Sequence, residues 1–133
     1  MNLPILYSFR RCPYAMRARM SIVRSRFKVE HREVILRERP AHMMKISPKG
    51  TVPVLLLSDG TVIEESLEIM EHVLPWDLTQ YEEEWVKRND AEFKFHLDRY
   101  KYPNRYDDID ELEHRTAACK FIESIEEEIP DGN

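Results

Sequence analysis

A single cysteine near the N-terminus has the setting that reactive thiols need. Cys12 directly precedes Pro13 in the stretch RRCPYAMRAR, which also contains four arginines. The thiolate is the nucleophile in thiol–disulfide chemistry, and cationic neighbours or a helix N-terminus favour that anion. Cys12 is therefore a candidate nucleophile. The alternative is a small apolar side chain packed at the start of a helix, because free cysteines are often buried. The stretch alone leaves both readings open.

The second feature is a Val-Pro step. Val52 and Pro53 directly precede the apolar run VLLL, which predicts a strand. If their peptide bond is cis, the backbone N–H and C=O groups of Val52 face outward and can pair with an extended peptide, as an added strand does. A trans proline that begins the strand is the alternative, and trans is the commoner isomer.

The third feature begins a helix. Glu65 and Ser66 stand at the start of a segment, 64–74, whose apolar residues recur at helical spacing. The N–H groups of a first helical turn can bind an anion, and the Ser66 hydroxyl can act at the cap or in that turn. A glutamate beside them can bind an ammonium group. The two residues suit the amino-acid end of a peptide, although an ordinary helix cap explains them equally well.

A predicted order of strands and helices positions these residues. A helix begins at Pro13, which suits the first helical position, and a hairpin with Asp59 and Gly60 at its turn precedes the helix at 64–74. The order βαβ, α, ββ, α implies a mixed sheet whose first two strands are parallel. The other predicted elements are strands at 4–9 and 28–36 and a short helix at 39–47.

Composition restricts the classes of protein to consider. The 133 residues are 42% hydrophobic, which is sufficient for a folded globule. The two cysteines lie far apart and do not resemble a disulfide framework, so a reducing cytoplasm is predicted. The N-terminus is too short and too weakly apolar for a signal peptide, and no apolar run is long enough to cross a membrane.

The net charge of −5 divides unevenly along the chain. Residues 1–49 carry twelve Lys and Arg against three Asp and Glu, whereas residues 50–133 carry eight against twenty-two. A basic half is compatible with nucleic acid, a small anionic ligand or a solvated surface. Because the arginines cluster at one cysteine without interleaved aromatic residues, nucleic-acid binding is not predicted. The five histidines show no metal-ligand spacing, so no metal is predicted either.

The three features together resemble the N-terminal, thioredoxin-like domain of glutathione transferases. The motifs YSFRRCPYA, VPV and EES carry the resemblance, which extends over about residues 3–75. The first motif is most similar to the cysteine-type members, the omega-like and glutaredoxin-like branch. The resemblance implies an α/β fold: a thioredoxin-like domain over residues 1–75 with a mixed four-stranded sheet, then an incomplete all-helical domain over 76–133.

The resemblance also implies a glutathione site. Cys12 would be the catalytic nucleophile. Val52, with Pro53 in the cis form, would bind the cysteinyl backbone of glutathione. Glu65 and Ser66 would hold the γ-glutamyl end of the tripeptide.

Two further implications concern charge and mechanism. Arg39 matches a basic position that contacts the glycyl carboxylate in omega-like members, with Lys49 or Arg11 as alternatives for that role. Ala15 stands where glutaredoxins have their second active-site cysteine. The implied chemistry is therefore monothiol, in which Cys12 forms a mixed disulfide with glutathione and a second glutathione resolves it.

The sequence departs from the family in length. Two long helices are predicted, at about 79–101 and 108–129, where family members usually have five or six. A helical hairpin alone leaves apolar side chains uncovered, which implies either a truncated chain or a covering partner such as a second copy in a homodimer. The leading prediction is a cytoplasmic glutathione-dependent thiol transferase that acts on a small disulfide. Conjugation of glutathione to electrophiles and a non-catalytic interaction module are the alternatives.

Overall fold

A four-stranded sheet in the order β2-β1-β3-β4 is the centre of the first half of the chain. β1 pairs with β2 in parallel and with β3 in antiparallel, and β3 pairs with β4 in antiparallel. The predicted mixed sheet with parallel first strands is confirmed. The strands are β1 (Ile5–Ser8), β2 (Glu30–Glu33), β3 (Val54–Leu56) and β4 (Val62–Ile63). The computed structural model describes residues 2–131.

The second strand is shorter than predicted. The pattern predicted a strand over 28–36, whereas β2 pairs only over Glu30–Glu33. Its last partner is Ser8, the final residue of β1, opposite Glu33. The Val34 N–H still donates to the Ser8 carbonyl at 2.8 Å. β1 ends at Ser8, and its chain then turns toward the first helix, so the ladder has no further β1 residue for β2 to pair with.

Helices cover both faces of this sheet. Their bounds are α1 (Pro13–Ser25), α2 (Ala41–Ile46) and α3 (Ser66–Val73). One buried cluster contains Leu6 and Leu55 from the strands with Ala18 and Ile69 from α1 and α3. A second contains Tyr7 and Val54 with Met43 from α2 and with Val34. Successive strand residues alternate between the two clusters because their side chains point to opposite faces.

The chain divides into two compact units, the first ending at Trp76 and the second beginning at Asp77. The second unit consists of α4 (Gln80–Arg88), a π-helical turn (Asn89–Phe93), α5 (Lys94–Lys101), a 3-10 turn (Pro103–Arg105) and α6 (Glu111–Glu128). The two predicted long helices are confirmed, although the π-helical turn inside the first of them was not predicted. None of the helices within residues 2–131 has both the length and the apolar character that a membrane crossing requires.

Side chains at the helix starts explain where the second unit's helices begin. The Thr79 hydroxyl accepts a hydrogen bond from the Glu82 N–H at 3.2 Å, and the Glu82 carboxylate accepts one from the Thr79 N–H at 2.7 Å. This reciprocal cap begins α4. The Asp110 carboxylate accepts hydrogen bonds from the N–H groups of Leu112 and Glu113, so α6 begins at residue 111 rather than 108.

Candidate functional site

Cys12 lies at the N-terminal end of α1. Its N–H donates to the Phe9 carbonyl at 3.1 Å, which closes the turn after β1, and its own carbonyl accepts from the Met16 N–H at 2.8 Å. Pro13 is the first helical residue, so the predicted helix start is confirmed, and Cys12, whose backbone is extended, is the N-cap residue. The sulfur accepts no hydrogen bond from the first helical turn. It lies instead 3.8 Å from the carbonyl oxygen of Val52, and the side chain is half-buried.

The Val52–Pro53 peptide is cis, as one of the two alternatives predicted. Pro53 is fully buried, and β3 begins at the next residue. The register pairs Tyr7 with Val54, which brings the start of β3 beside the end of β1. Because Cys12 follows β1 after one tight turn, the sheet itself places the thiol next to Val52.

Glu65 and Ser66 stand at the start of α3. Glu65 is the N-cap residue and Ser66 the first helical residue, so the serine occupies the first turn rather than the cap. Neither side chain caps the helix. The Ser66 hydroxyl is buried and accepts a hydrogen bond at 2.9 Å from Nε of Arg17, on α1. Arg17 thereby connects the helix that begins after Cys12 with the start of α3.

A lysine reaches the carboxylate of Glu65. Nζ of Lys49 lies 2.5 Å from Oε1 of Glu65 and 4.0 Å from the carboxylate of Glu64. The hydrogen bond to Glu65 is the main cause that raises the pKa of Lys49 above its usual value. The Glu64 carboxylate also accepts a hydrogen bond from the buried Ser47 hydroxyl at 2.6 Å. Glu65 therefore faces an ammonium group in this structure, the kind of group that the sequence predicted it to bind.

Arg39 stabilises the loop that precedes Val52. Its Nε donates to the Gly50 carbonyl at 2.6 Å, and one terminal nitrogen donates to the Leu36 carbonyl at 2.7 Å. Gly50 has a φ of +67°, and a Cβ there would lie 3.2 Å from the Arg39 side chain. A side chain at this position would be both strained and crowded. Arg39 is thus adjacent to the candidate site, where its hydrogen bonds go to backbone carbonyls.

Sequence reasoning did not identify the role of Arg19. One of its terminal nitrogens donates to the buried Ser8 hydroxyl at 2.6 Å and to the Phe9 carbonyl at 3.2 Å, and the other donates to the Arg10 carbonyl at 3.1 Å. Arg19 therefore holds the turn that precedes Cys12. Its position one helical turn after the buried Ala15 was the available signal, because side chains on a helix lean toward its N-terminus.

Tyr7 belongs to the core of the first unit. Its ring is buried, and its hydroxyl accepts a hydrogen bond from Arg32 at 3.0 Å and lies 2.5 Å from Nδ1 of His42. Cys119, the second cysteine, is exposed on α6 in the second unit. All the predicted site residues lie in the first unit, namely Cys12, Arg39, Val52, Pro53, Glu65 and Ser66. Cys12 contacts Val52 directly, whereas Arg39, Glu65 and Ser66 have Gly50, Lys49 and Arg17 as their partners.

Comparison of the sequence with known proteins gives a consistent result. Residues 6–85 match the family described as glutathione S-transferase, N-terminal domain. A protein of Aplysia californica, described as a probable glutathione transferase, is 37% identical over 68 residues. That match covers 50% of this chain and 74% of the Aplysia protein.

Solved structures show the same fold at low identity. Glutathione transferase Omega 3C from Trametes versicolor superposes with a TM-score of 0.79 at 20% identity over 99% of this chain, and Omega 1C from the same organism with 0.78 at 13% over 100%. A glutathione S-transferase from Methylobacillus flagellatus, solved with glutathione bound, superposes with 0.71 at 18% over 93%. The matched parts are 61%, 63% and 69% of those three chains. This chain thus spans less than two thirds of either omega structure.

Proposed function

We propose, because this chain belongs to the glutathione S-transferase family, that its first unit binds glutathione and that the Cys12 thiolate forms a mixed disulfide with it. The observation that carries the proposal is the 3.8 Å contact between the Cys12 sulfur and the Val52 carbonyl, at a cis Val-Pro peptide. A strand-like clamp for the cysteinyl part of glutathione at Val52 would hold the bound sulfur close to the Cys12 sulfur.

The other binding roles follow from charge. Glu65 would bind the ammonium group of the γ-glutamyl residue, which would either replace the Lys49 ammonium or lie beside it. The first turn of α3, at Ser66, would bind the carboxylate of the same γ-glutamyl residue. The glycyl carboxylate would be bound by Arg39, with Lys49 or Arg11 as alternatives. Glutathione carries net negative charge, and residues 1–49 carry a large excess of basic residues, so the approach is favoured electrostatically.

The proposed reaction consists of two thiol–disulfide exchanges. Cys12 loses its proton to solvent, and the thiolate attacks the glutathionyl sulfur of a mixed disulfide. The Cys12–glutathione bond forms while the old S–S bond breaks, and the other half leaves as a thiolate that takes up a proton. Cys12 is then displaced as a thiolate when a second glutathione takes over the glutathionyl group, which yields glutathione disulfide. Ala15 offers no second thiol nearby, so the resolving thiol comes from glutathione.

Intact-mass measurement after exposure to glutathione disulfide at neutral pH tests the proposal. We expect one glutathione adduct per chain. Cys12→Ala should abolish it, whereas the matched variant Cys119→Ala should retain it. An adduct on Cys119 alone, or none in the wild type, would contradict the mechanism. Turnover of an electrophile with no adduct would favour conjugation instead, and partner binding that survives Cys12→Ala would favour an interaction module.

We also propose that two copies associate and that the protein acts in the cytoplasm. The exposed apolar residues of α6 and of its C-cap are the surface that a second copy would cover: Leu112, Ile122, Ile125 and the C-cap residue Ile129. Sedimentation of the chain at micromolar concentration should show a dimer, and a monomer over that range would contradict the association. One solved relative, TDR1 of Leishmania, is described as a trimeric glutathione transferase, so the sedimentation data should also be tested for the mass of a trimer.

A further inference from the structure

A surface cavity of about 390 Å³ lies where β1 and β2 end, beside the turn that leads to Cys12. Residues that follow these two strands line it. The apolar part is formed by Ile35 and Leu36, among others, and the charged part by Arg10, Arg11, Arg37 and Glu33. We call it the arginine cavity. An apolar lining with a few charged groups is the usual construction of a small-molecule site.

The three arginines of this cavity differ from the other site arginines in the surroundings of their guanidinium groups. Among the residues that the structure describes, the guanidinium groups of Arg10, Arg11 and Arg37 form no hydrogen bond and no ion pair. Four arginines of the same unit donate to protein oxygens: Arg17, Arg19, Arg32 and Arg39. The cavity therefore carries three guanidinium groups whose donors are available to a ligand.

The single carboxylate of the cavity does not neutralise this charge. Glu33 accepts a hydrogen bond from the backbone N–H of Arg10 at 2.8 Å, and its other oxygen lies 3.7 Å from His31. These contacts direct the carboxylate toward the backbone and His31 rather than toward the guanidinium groups. The cavity is therefore positively charged, and a planar carboxylate is a group that guanidinium donors can bind with two parallel hydrogen bonds.

Sheet topology separates this cavity from the Val52 clamp. β1 lies between β2 and β3. At its end, Ser8 faces Glu33 of β2 on one side and Tyr7 faces Val54 of β3 on the other. The Val52 segment therefore lies on the β3 side of β1, whereas the cavity is lined by residues that follow β2 and by the turn between β1 and Cys12.

We propose that the arginine cavity binds an organic anion with an apolar body and that its ligand is the non-glutathione half of the disulfide. This assignment rests on the proposed function and narrows the second substrate to carboxylate-bearing thiols. Cys12 stands between the two halves of such a disulfide, with glutathione at Val52 and the carboxylate at the arginines. The half held in the cavity leaves as the thiolate when the Cys12–glutathione bond forms.

The test uses stoichiometric exchange at Cys12 and needs no glutathione. In a Cys119→Ala background, Cys12 is the only thiol of the chain. Its second-order rate constants are measured with dithiobis(nitrobenzoate), whose halves are aromatic carboxylates, and with the neutral dithiodipyridine. In each case the Cys12 thiolate attacks one sulfur, the old S–S bond breaks, and the aryl thiolate leaves. We expect Arg37→Gln to slow the reaction with the anionic disulfide by roughly fivefold, which corresponds to the largest usual contribution of one exposed ion pair. The rate with the neutral disulfide should stay unchanged.

Arg24→Gln is the matched control. Arg24 is an exposed arginine in the last turn of α1. The Arg24→Gln variant therefore removes the same charge at a point roughly 18 Å along the helix from Cys12. At physiological salt, attraction over that distance is largely screened. Equal effects of the two variants would show a general field rather than a site and would overturn the assignment. So would an anionic rate that Arg37→Gln leaves unchanged, or a Cys12 that reacts with neither disulfide. The glutathione adduct measured by mass reports separately on the proposed function.

Discussion

The two units of this chain bury their side chains to very different extents. Eleven hydrophobic residues of the first unit are buried, against two in the second, Ala118 and Phe121, among the residues described. The first unit has a sheet with helices on both faces, whereas the second has helices that expose much of their apolar surface. All the candidate site residues belong to the unit with the larger core. Rigid packing is what holds a nucleophile and its binding groups in fixed geometry.

The largest expected effect comes from the centre of the second unit. Phe121 is 2% exposed, stacks on Phe93 at 5.1 Å between ring centroids, and lies 5.9 Å from Trp85. We expect Phe121→Ala to lower the free energy of unfolding of this unit by about 4 kcal/mol, because it leaves a cavity among aromatic rings. Hydrogen exchange followed by mass spectrometry should show protection lost in α4–α6 and retained in the sheet.

Phe95→Ala is the control for that prediction. Phe95 is 47% exposed, so its removal should cost about 1 kcal/mol or less. If the strands lost protection together with α6 in Phe121→Ala, the two units would unfold as one cooperative body, and the distinction between a well-packed and a sparsely packed unit would have to be abandoned.

A smaller effect is expected where α1 meets α3 inside the first unit. Ser66→Ala removes the buried hydroxyl that accepts from Arg17. The loss should lower the free energy of unfolding by about 1–1.5 kcal/mol, the usual contribution of a buried hydrogen bond. Urea unfolding should show a lower midpoint with an unchanged slope. The control Ser58→Ala removes an exposed hydroxyl that donates to the Asn2 carbonyl, and a shift as large as that of Ser66→Ala would contradict the prediction.

The smallest effect concerns the ion pair at the edge of the site. The Lys49 ammonium donates to Glu65, which raises the pKa of Lys49 in the folded state. The pair's contribution to stability is therefore fully present below the unfolded lysine pKa, about 10.5, and is lost as the pH rises through the higher folded value. Both side chains are substantially exposed, so Lys49→Gln should lower the free energy of unfolding by no more than about 0.5 kcal/mol at neutral pH.

The measurement is urea unfolding of wild type and Lys49→Gln at about pH 8 and above about pH 11, since the difference should shrink with rising pH. Lys28→Gln serves as the control, because Lys28 forms no ion pair with a residue that the structure describes. A difference that grows at high pH, or that Lys28→Gln reproduces, would show that the Lys49–Glu65 pair is not its source.

Much of the first unit was predictable from local patterns. Pro13 as the first helical residue, the hairpin at Asp59-Gly60 and the cis peptide before Pro53 were each predicted, the last as one of two alternatives. Each depends on residues within a few positions of one another. The predicted length of β2 was wrong because strand pairing ends where the partner strand ends. That end is set by Ser8, the last residue of β1, and not by the sequence of β2 itself. The π-helical turn at Asn89–Phe93 had no recognised signal.

The roles of the arginines mark the limit of sequence reasoning. The sequence by itself determined that basic residues crowd around Cys12, that its thiol stands at a helix start, and that a Val-Pro step and a Glu-Ser step follow. Only the tertiary structure decided that Arg17 binds Ser66, that Arg39 holds the Gly50 carbonyl, and that Arg37 remains available beside a cavity. The physical reason is distance along the chain. A cap or a turn is decided by neighbours, whereas the partner of a long, flexible cation is whichever oxygen the fold brings within reach.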